Sequence, residues 1–167
     1  ELGAILGEGD RLRFLSKTMH REMMSEIRWS RAQAEQSRDG LDVATLELSP
    51  SDVAAMRVIS SWKAMRLVGS VGGGRALSKP SKRAVAAASA LGLVSVAEAS
   101  PEAYLRAGRA MQRVWLRATA LGLAFQPMTA LTYVFARLDR GGGEGLSSRE
   151  RKVLTELRAR YLEIFSP

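Results

Sequence analysis

The sequence predicts an α+β fold, rich in helix, with a small mixed or antiparallel sheet around one long central helix. Three observations carry this. A sustained amphipathic run extends from Pro101 to about Leu121, several shorter helical runs follow Ser or Asp cap residues, and two short apolar segments have the length of strands. A chain of 167 residues with 46% apolar and 25% charged residues has the composition of one globular domain with a core of its own.

Leu12, Leu15, Met19, Met23 and Ile27 recur at steps of three and four after Asp10, which predicts an amphipathic helix over 10–28. A short helix follows from Ser30 and is broken by Arg38-Asp39-Gly40, since Asp-Gly marks a turn. Ser49-Pro50-Ser51-Asp52 supplies a cap, a first-turn proline and a first-turn acid, so another helix starts near residue 50; it breaks near Ser60-Ser61 and resumes to about Val68. Gly69-Ser70-Val71-Gly72-Gly73-Gly74-Arg75, with Pro80 beyond it, predicts a flexible loop or hinge. After a short helix, Ala90 to Ala97 has the length and β-branched content of a buried strand.

In the long helix, Tyr104, Ala107, Gly108, Met111, Val114, Trp115, Ala118 and Leu121 form an apolar stripe opposite Arg106, Arg109, Arg113 and Arg117. Its small residues allow close approach. The helix is therefore expected to be the buried spine, packed beside strands near 90–97 and 122–128, with no room for a bulky residue at Gly108. Gly122 ends it, and Leu123 to Met128 is a short extended run stopped by Pro127. Thr129 to Leu138 predicts a helix and Arg140 to Gly145 a glycine-rich break. Ser147 caps a last helix with Val153, Leu154, Leu157, Tyr161 and Phe165 on one face. Two strands alone are poorly stabilised, so the remaining ones should come from a partner chain or from sequence outside these residues.

The absence of cysteine removes disulfides, thiolate metal sites and cysteine nucleophiles, and the single histidine, His20, is too few for a His-rich zinc site; no metal is expected. The most apolar window, 84–97, is too short and too broken by Ser89, Gly92 and Ser95 to span a bilayer, so a soluble, cytoplasmic protein without a membrane partner is expected. The net charge is +8, and most of it lies between Asp52 and Glu98, where there is no acid and seven cations: Arg57, Lys63, Arg66, Arg75, Lys79, Lys82 and Arg83. Such a stretch can hold phosphate. Arg75, Lys79, Lys82 and Arg83, beside Gly72-Gly73-Gly74, are the candidate phosphate or anion contacts; the alternative is a solvated surface. Nucleic acid is disfavoured because the stretch has one aromatic residue, Trp62, and no interleaved stacking residues.

Paired carboxylates poised for acid-base work are not evident, since the acids are mixed with bases at helical spacing. A serine triad has no histidine in a suitable motif, and His20, between Met19 and Arg21, is expected to be structural or on the surface. No catalytic residue is identified. Any reaction must be carried by a cofactor, with the protein supplying binding and orientation.

The segment Tyr104-Leu105-Arg106-Ala107-Gly108-Arg109-Ala110-Met111-Gln112-Arg113-Val114-Trp115 through Leu121-Gly122-Leu123-Ala124-Phe125-Gln126-Pro127-Met128 resembles the FMN-dependent nitroreductase superfamily, which has a long central helix followed by a short strand ending in proline. The segment from His20-Arg21-Glu22-Met23-Met24 to Arg38-Asp39-Gly40-Leu41 resembles its divergent branch, which includes domains fused behind an adenylation domain related to ubiquitin-activating enzymes. The resemblance covers about residues 10–138. It implies a single nitroreductase-like domain over 1–167, lacking the family's N-terminal arginine segment and last strand. It implies FMN near Pro127, Met128, Thr129 and Ala130, NAD(P)H as electron donor, a homodimer, and a helical lid over 49–80 with a glycine hinge. Two other readings stand beside it: a non-catalytic relative that has lost FMN and sequesters a ligand or serves as a dimerisation module, and a basic nucleic-acid-binding domain.

Overall fold

The computed structural model describes residues 1–46 and 48–165, without the side chain of Arg140. The chain divides into two compact units, one made of Glu1–Ala87 with the chain from Ala130 onward, the other of Ala88–Thr129.

The first unit opens with α1 (Leu2–Leu15) and α2 (Lys17–Ser25). The single amphipathic helix expected over 10–28 is two helices, because Ser16 is extended (ψ 124°) and starts α2 as its N-cap residue. Beyond α2 come β1 (Ile27–Arg28), α3 (Arg31–Ser37) and β2 (Leu41–Asp42). The Ser30 side chain accepts from the Gln33 N–H at the start of α3, and Arg38 (φ 53°) and Gly40 (φ 71°) turn the chain into β2. Ile27 pairs with Leu41 and Arg28 with Asp42 in parallel. This corrects the expected mixed or antiparallel sheet around the long helix: a crossover through α3 returns the chain in the same direction, whereas antiparallel neighbours are what a tight hairpin gives.

After a 3-10 turn at Val43–Leu46, α4 (Pro50–Ile59) and α5 (Trp62–Ser70) follow the predicted caps and break. The Ser49 hydroxyl accepts from the Asp52 N–H at 3.2 Å. At the break, buried His20 donates from Nε2 to the Ile59 carbonyl (2.8 Å), and its ring lies 5.4 Å from that of Trp62. The only histidine thus ties α2 to the α4–α5 junction, a structural use.

The glycine-rich stretch is a correction of a different kind. Gly73–Ser78 is a 3-10 segment laid against α1 and followed by α6 (Lys79–Ala87). Gly74 is buried beside Leu15, and a Cβ on Gly7 would stand 2.8 Å from the Ser78 carbonyl oxygen. The Ser81 hydroxyl donates to Asp10 on α1. Packing on a neighbouring helix, not flexibility, is what the small residues serve here. A hinged lid over 49–80 would have to release these contacts.

The second unit contains α7 (Pro101–Ala120). The Ser100 hydroxyl accepts from the Ala103 N–H at 3.1 Å, and Glu102 sits in the first turn, where a negative charge meets the positive helix end. At the other end Gly122 (φ 71°) lets the Leu123 N–H reach the Ala118 carbonyl at 2.9 Å, which closes the helix. The Trp115 and Phe125 rings meet at 5.4 Å. The strands expected at 90–97 and 122–128 are absent; both segments are irregular. A strand needs a partner for its N–H and C=O groups, and none of the described segments pairs with either. The expected burial of α7 is corrected too. Ala103 is its one buried residue, Leu105, Val114, Trp115 and Leu116 are exposed, and Gly108 has nothing within 4 Å of where a Cβ would stand.

The chain re-enters the first unit as α8 (Ala130–Arg140), and α9 (Ser148–Ile164) completes it. Ser147 and Glu150 form a reciprocal capping box. Burial raises the Glu150 pKa, but bonds from the Ser147 side chain and backbone and from Ser16 outweigh it and hold the carboxyl below its ordinary value. The core gathers Ile5 from α1, Met65 from α5, Leu131, Val134 and Phe135 from α8, and Leu154, Leu157 and Tyr161 from α9, with the Phe135 and Tyr161 rings edge to face at 5.6 Å.

These contacts set opposite outcomes for two glycines. Gly7→Val drives a side chain into backbone and should lower unfolding stability by about 1–3 kcal/mol. Gly108→Leu gains helix propensity in open space and should raise stability by roughly 0.5–1 kcal/mol. Thermal melts of the two variants check the pair of signs.

Candidate functional site

Two open hollows among the described residues of the first unit bear on function. One, about 430 Å³, is lined by residues of α1, α2 and α8, including Arg13, Met19, Glu22, Met23, Ala130, Tyr133 and Arg137. The other, about 420 Å³, lies between β1 and α3, with Arg28, Trp29 and Gln33 on its wall. Beside it the Arg57 guanidinium stands 5.4 Å from the Trp29 ring centre and donates to the Trp29 carbonyl at 3.3 Å.

The α2–α8 hollow has the more elaborate chemistry. Met19 and Met23 are four residues apart on α2, so both face α8; with buried Val134 they make a soft apolar wall. Tyr133 rises from α8 with 73% of its surface exposed, offering a free ring face. Arg137 closes one rim by a two-pronged pair with Glu22, Nη1 to Oε2 at 2.6 Å and Nη2 to Oε1 at 2.7 Å. That hydrogen-bonded guanidinium holds the Glu22 carboxyl below the usual glutamate range, against the opposing effect of burial. Glu22 is therefore an anchored anion and not a proton shuttle near neutrality. Arg13 stands on the other rim, donating to the Met23 sulfur at 3.1 Å, with the Asp10 carboxylate 3.5 Å away.

Of the residues assigned to FMN from the resemblance, Ala130 lines this hollow at the first position of α8. Pro127, Met128 and Thr129 precede it in the chain and belong to the second unit; Pro127 and Met128 are half-buried and Thr129 is exposed. Arg75, Lys79, Lys82 and Arg83 line neither hollow. All four are exposed on the 3-10 segment and α6, although the Lys82 stem runs along α1, its Cε 3.2 Å from where a Cβ on Gly7 would stand. The sequence reading did not find Arg13, Glu22, Tyr133 or Arg137. The Met19 and Met23 spacing was its one accessible signal, and no local pattern links Glu22 to an arginine 115 residues later. Among the described residues no cluster of three or more His, Cys, Asp or Glu side chains could hold a metal ion, and no helix is long and apolar enough to cross a membrane. The hollow can hold a small ligand with an apolar or aromatic face and an anionic group; it contains no activated nucleophile.

The pair on the rim makes a pH-dependent contribution. Because the folded Glu22 pKa is depressed, its stabilisation is fully present above the unfolded value of about 4.3 and is lost as the pH falls through the folded value. Glu22 is half exposed, so Glu22→Gln should cost no more than about 1 kcal/mol at neutral pH. The variant should also lose part of the fall in stability below about pH 4, which denaturant titrations at a series of pH values would show.

An uncharacterized protein of Mycobacterium tuberculosis is 37% identical to the chain over 134 residues, which is 80% of the chain and 18% of that protein. The chain thus spans about a fifth of the length of the curated relative it matches. No family model matches the chain, and no solved structure matches it.

Proposed function

We propose that the chain is a nitroreductase-like flavin domain, an oxidoreductase module that binds FMN and acts as a homodimer. The observation that carries the reading is the α2–α8 hollow, in which Ala130, a residue assigned to flavin through the resemblance, stands with an apolar methionine wall and two arginines. Its volume lies within the range of about 300–1,000 Å³ of small-molecule sites. The donor set fits the cofactor: Met19, Met23 and Val134 suit a planar ring system, Tyr133 offers a stacking face, and Arg13 can pair with a phosphate. FMN, when bound, supplies transfer of electrons from NAD(P)H to an acceptor. The protein's own part is to exclude water from one ring face through Met19 and Met23, to hold Arg13 toward the anion, and to keep Glu22 ionised and locked by Arg137 so that it does not compete for Arg13.

The exposed stripe of α7 supports the homodimer. Val114, Trp115 and Leu121 of that stripe are all exposed, the last with 57% of its surface, and leave more apolar surface on one helix face than a solvated helix needs. The same stripe favours the second reading, a relative without FMN that serves as a dimerisation module.

The purified chain, supplied with FMN, should show the visible absorbance of a bound flavin and be bleached by NAD(P)H without air. Arg13→Ala should weaken FMN about tenfold or more. A colourless protein that rejects added FMN overturns the flavin reading and leaves the dimerisation module, whereas a monomer by sedimentation at micromolar concentration overturns the dimer. Steeply salt-dependent binding of an oligonucleotide in place of FMN would favour the nucleic-acid alternative.

A further inference from the structure

The basic stretch forms a definite surface, and its composition is unusual. Along α5, residues 63, 66, 67, 70 and 71 follow the spacing of one helical face, and Lys63, Arg66, Leu67, Ser70 and Val71 are all exposed. The opposite face holds fully buried Met65, with Gly69 against Leu15 of α1. Leu67 and Val71 have 65% and 75% of their surface exposed, and Val58, across the α4–α5 break, is exposed as well. Arg75, Lys79, Lys82 and Arg83 continue the cationic surface onto the 3-10 segment and α6. Among the described residues, none of the cations from Lys63 to Arg83 is in an ion pair, and the nearest acids in sequence are Asp52 and Glu98.

We infer that this face is a peripheral docking surface for a bilayer carrying anionic lipid, with Lys63, Arg66 and Arg75 on the headgroups and Leu67 and Val71 entering the interface between them. Two features select this partner. The exposed charges of α5, the 3-10 segment and α6 are all of one sign and spread over three successive elements, which suits an extended anionic plane better than a single phosphate. The side chains standing among the cations are aliphatic, which an interfacial lipid layer accepts and a nucleic-acid strand, read by stacking on aromatic rings, does not use; the aromatic residue of α5, Trp62, is turned toward His20. This contact does not span the membrane and is independent of any flavin.

The test is co-sedimentation of the full 167-residue chain with phosphatidylcholine vesicles, with and without phosphatidylserine at about one part in three, at about 0.1 M salt. Binding should require phosphatidylserine. Each exposed cation removed should lower partitioning about fivefold, so Lys63→Gln, Arg66→Gln and Arg75→Gln together should lower it about a hundredfold. Arg109→Gln, Arg113→Gln and Arg117→Gln, which remove the same charge from α7, should leave it within about threefold. Leu67→Ser with Val71→Ser should cost about tenfold at unchanged charge. All these positions are exposed, so the variants should fold, with helix content by circular dichroism equal to that of the parent. The inference is overturned by absence of binding, by equal binding to pure phosphatidylcholine, by equal effects of the α5 and α7 charge sets, or by indifference to the aliphatic pair. A single-stranded oligonucleotide that binds with the same dependence on Lys63, Arg66 and Arg75 while the vesicles do not would assign the face to nucleic acid instead.

Discussion

The first unit depends on how closely other segments approach α1, and that distance is set by side chains that are missing. Gly3, Gly7 and Gly9 are all buried on this helix. A Cβ on Gly9 would stand 2.6 Å from a Leu131 methyl of α8, and one on Gly3 3.4 Å from Val85 of α6. Glycine inside a helix costs about 0.5–1 kcal/mol relative to alanine, so three of them make α1 a poor helix in isolation. The expense is recovered only when the 3-10 segment, α6 and α8 all pack against it. Helix α1 is thus a helix because of its neighbours, and Ile5, fully buried on it, reaches the common core for the same reason.

What the sequence made legible follows from the range of the interaction involved. Helix starts at Ser49-Pro50, Pro101 and Ser147 are written within a few residues, because a cap is a local hydrogen bond, and all three stand where the pattern puts them. The break at Ser16 was not legible: the apolar spacing of Leu12, Leu15, Met19 and Met23 continues through it, since both helices bury the same side. The residues of 90–97 have a strand's pattern, but a strand is a property of a pair, and the pairing partner is not encoded in the segment. Conversely β1 and β2 are so short that no periodicity could announce them, and their ladder rests on the turn at Arg38 and Gly40.

The same rule divides the candidate site. Met19 and Met23 were visible as a helical stripe, and Ala130 through a resemblance, yet neither signal indicated a common hollow. What joins them is the Glu22–Arg137 pair between α2 and α8, elements more than a hundred residues apart in the chain. A two-pronged guanidinium–carboxylate contact fixes orientation as well as distance, so it sets how far α8 stands from α2 along that rim. Its contribution to stability is small at a half-exposed position. Its contribution to shape is an added constraint on the rim, beside the packing of Leu131, Val134 and Phe135 that already holds α8 in the core.

Charge pairing separates the two surfaces that the described contacts leave uncovered. The cations of α5, the 3-10 segment and α6 have no acid within their own stretch of sequence, whereas α7 carries Glu102 in its first turn and Arg106 paired with Glu98 at 3.2 Å. Two copies of the α5 face would set Lys63 and Arg66 against cations of the other copy, which disfavours self-association there. On α7 the acid Glu102 lies in the first turn and Arg113 and Arg117 toward the C-terminal end, so a second copy running antiparallel would set Glu102 against those arginines, while a parallel copy would set each arginine against its own counterpart and Glu102 against Glu102. A surface of one sign requires a partner of the other sign; a helix with acid at one end and base at the other can be its own partner.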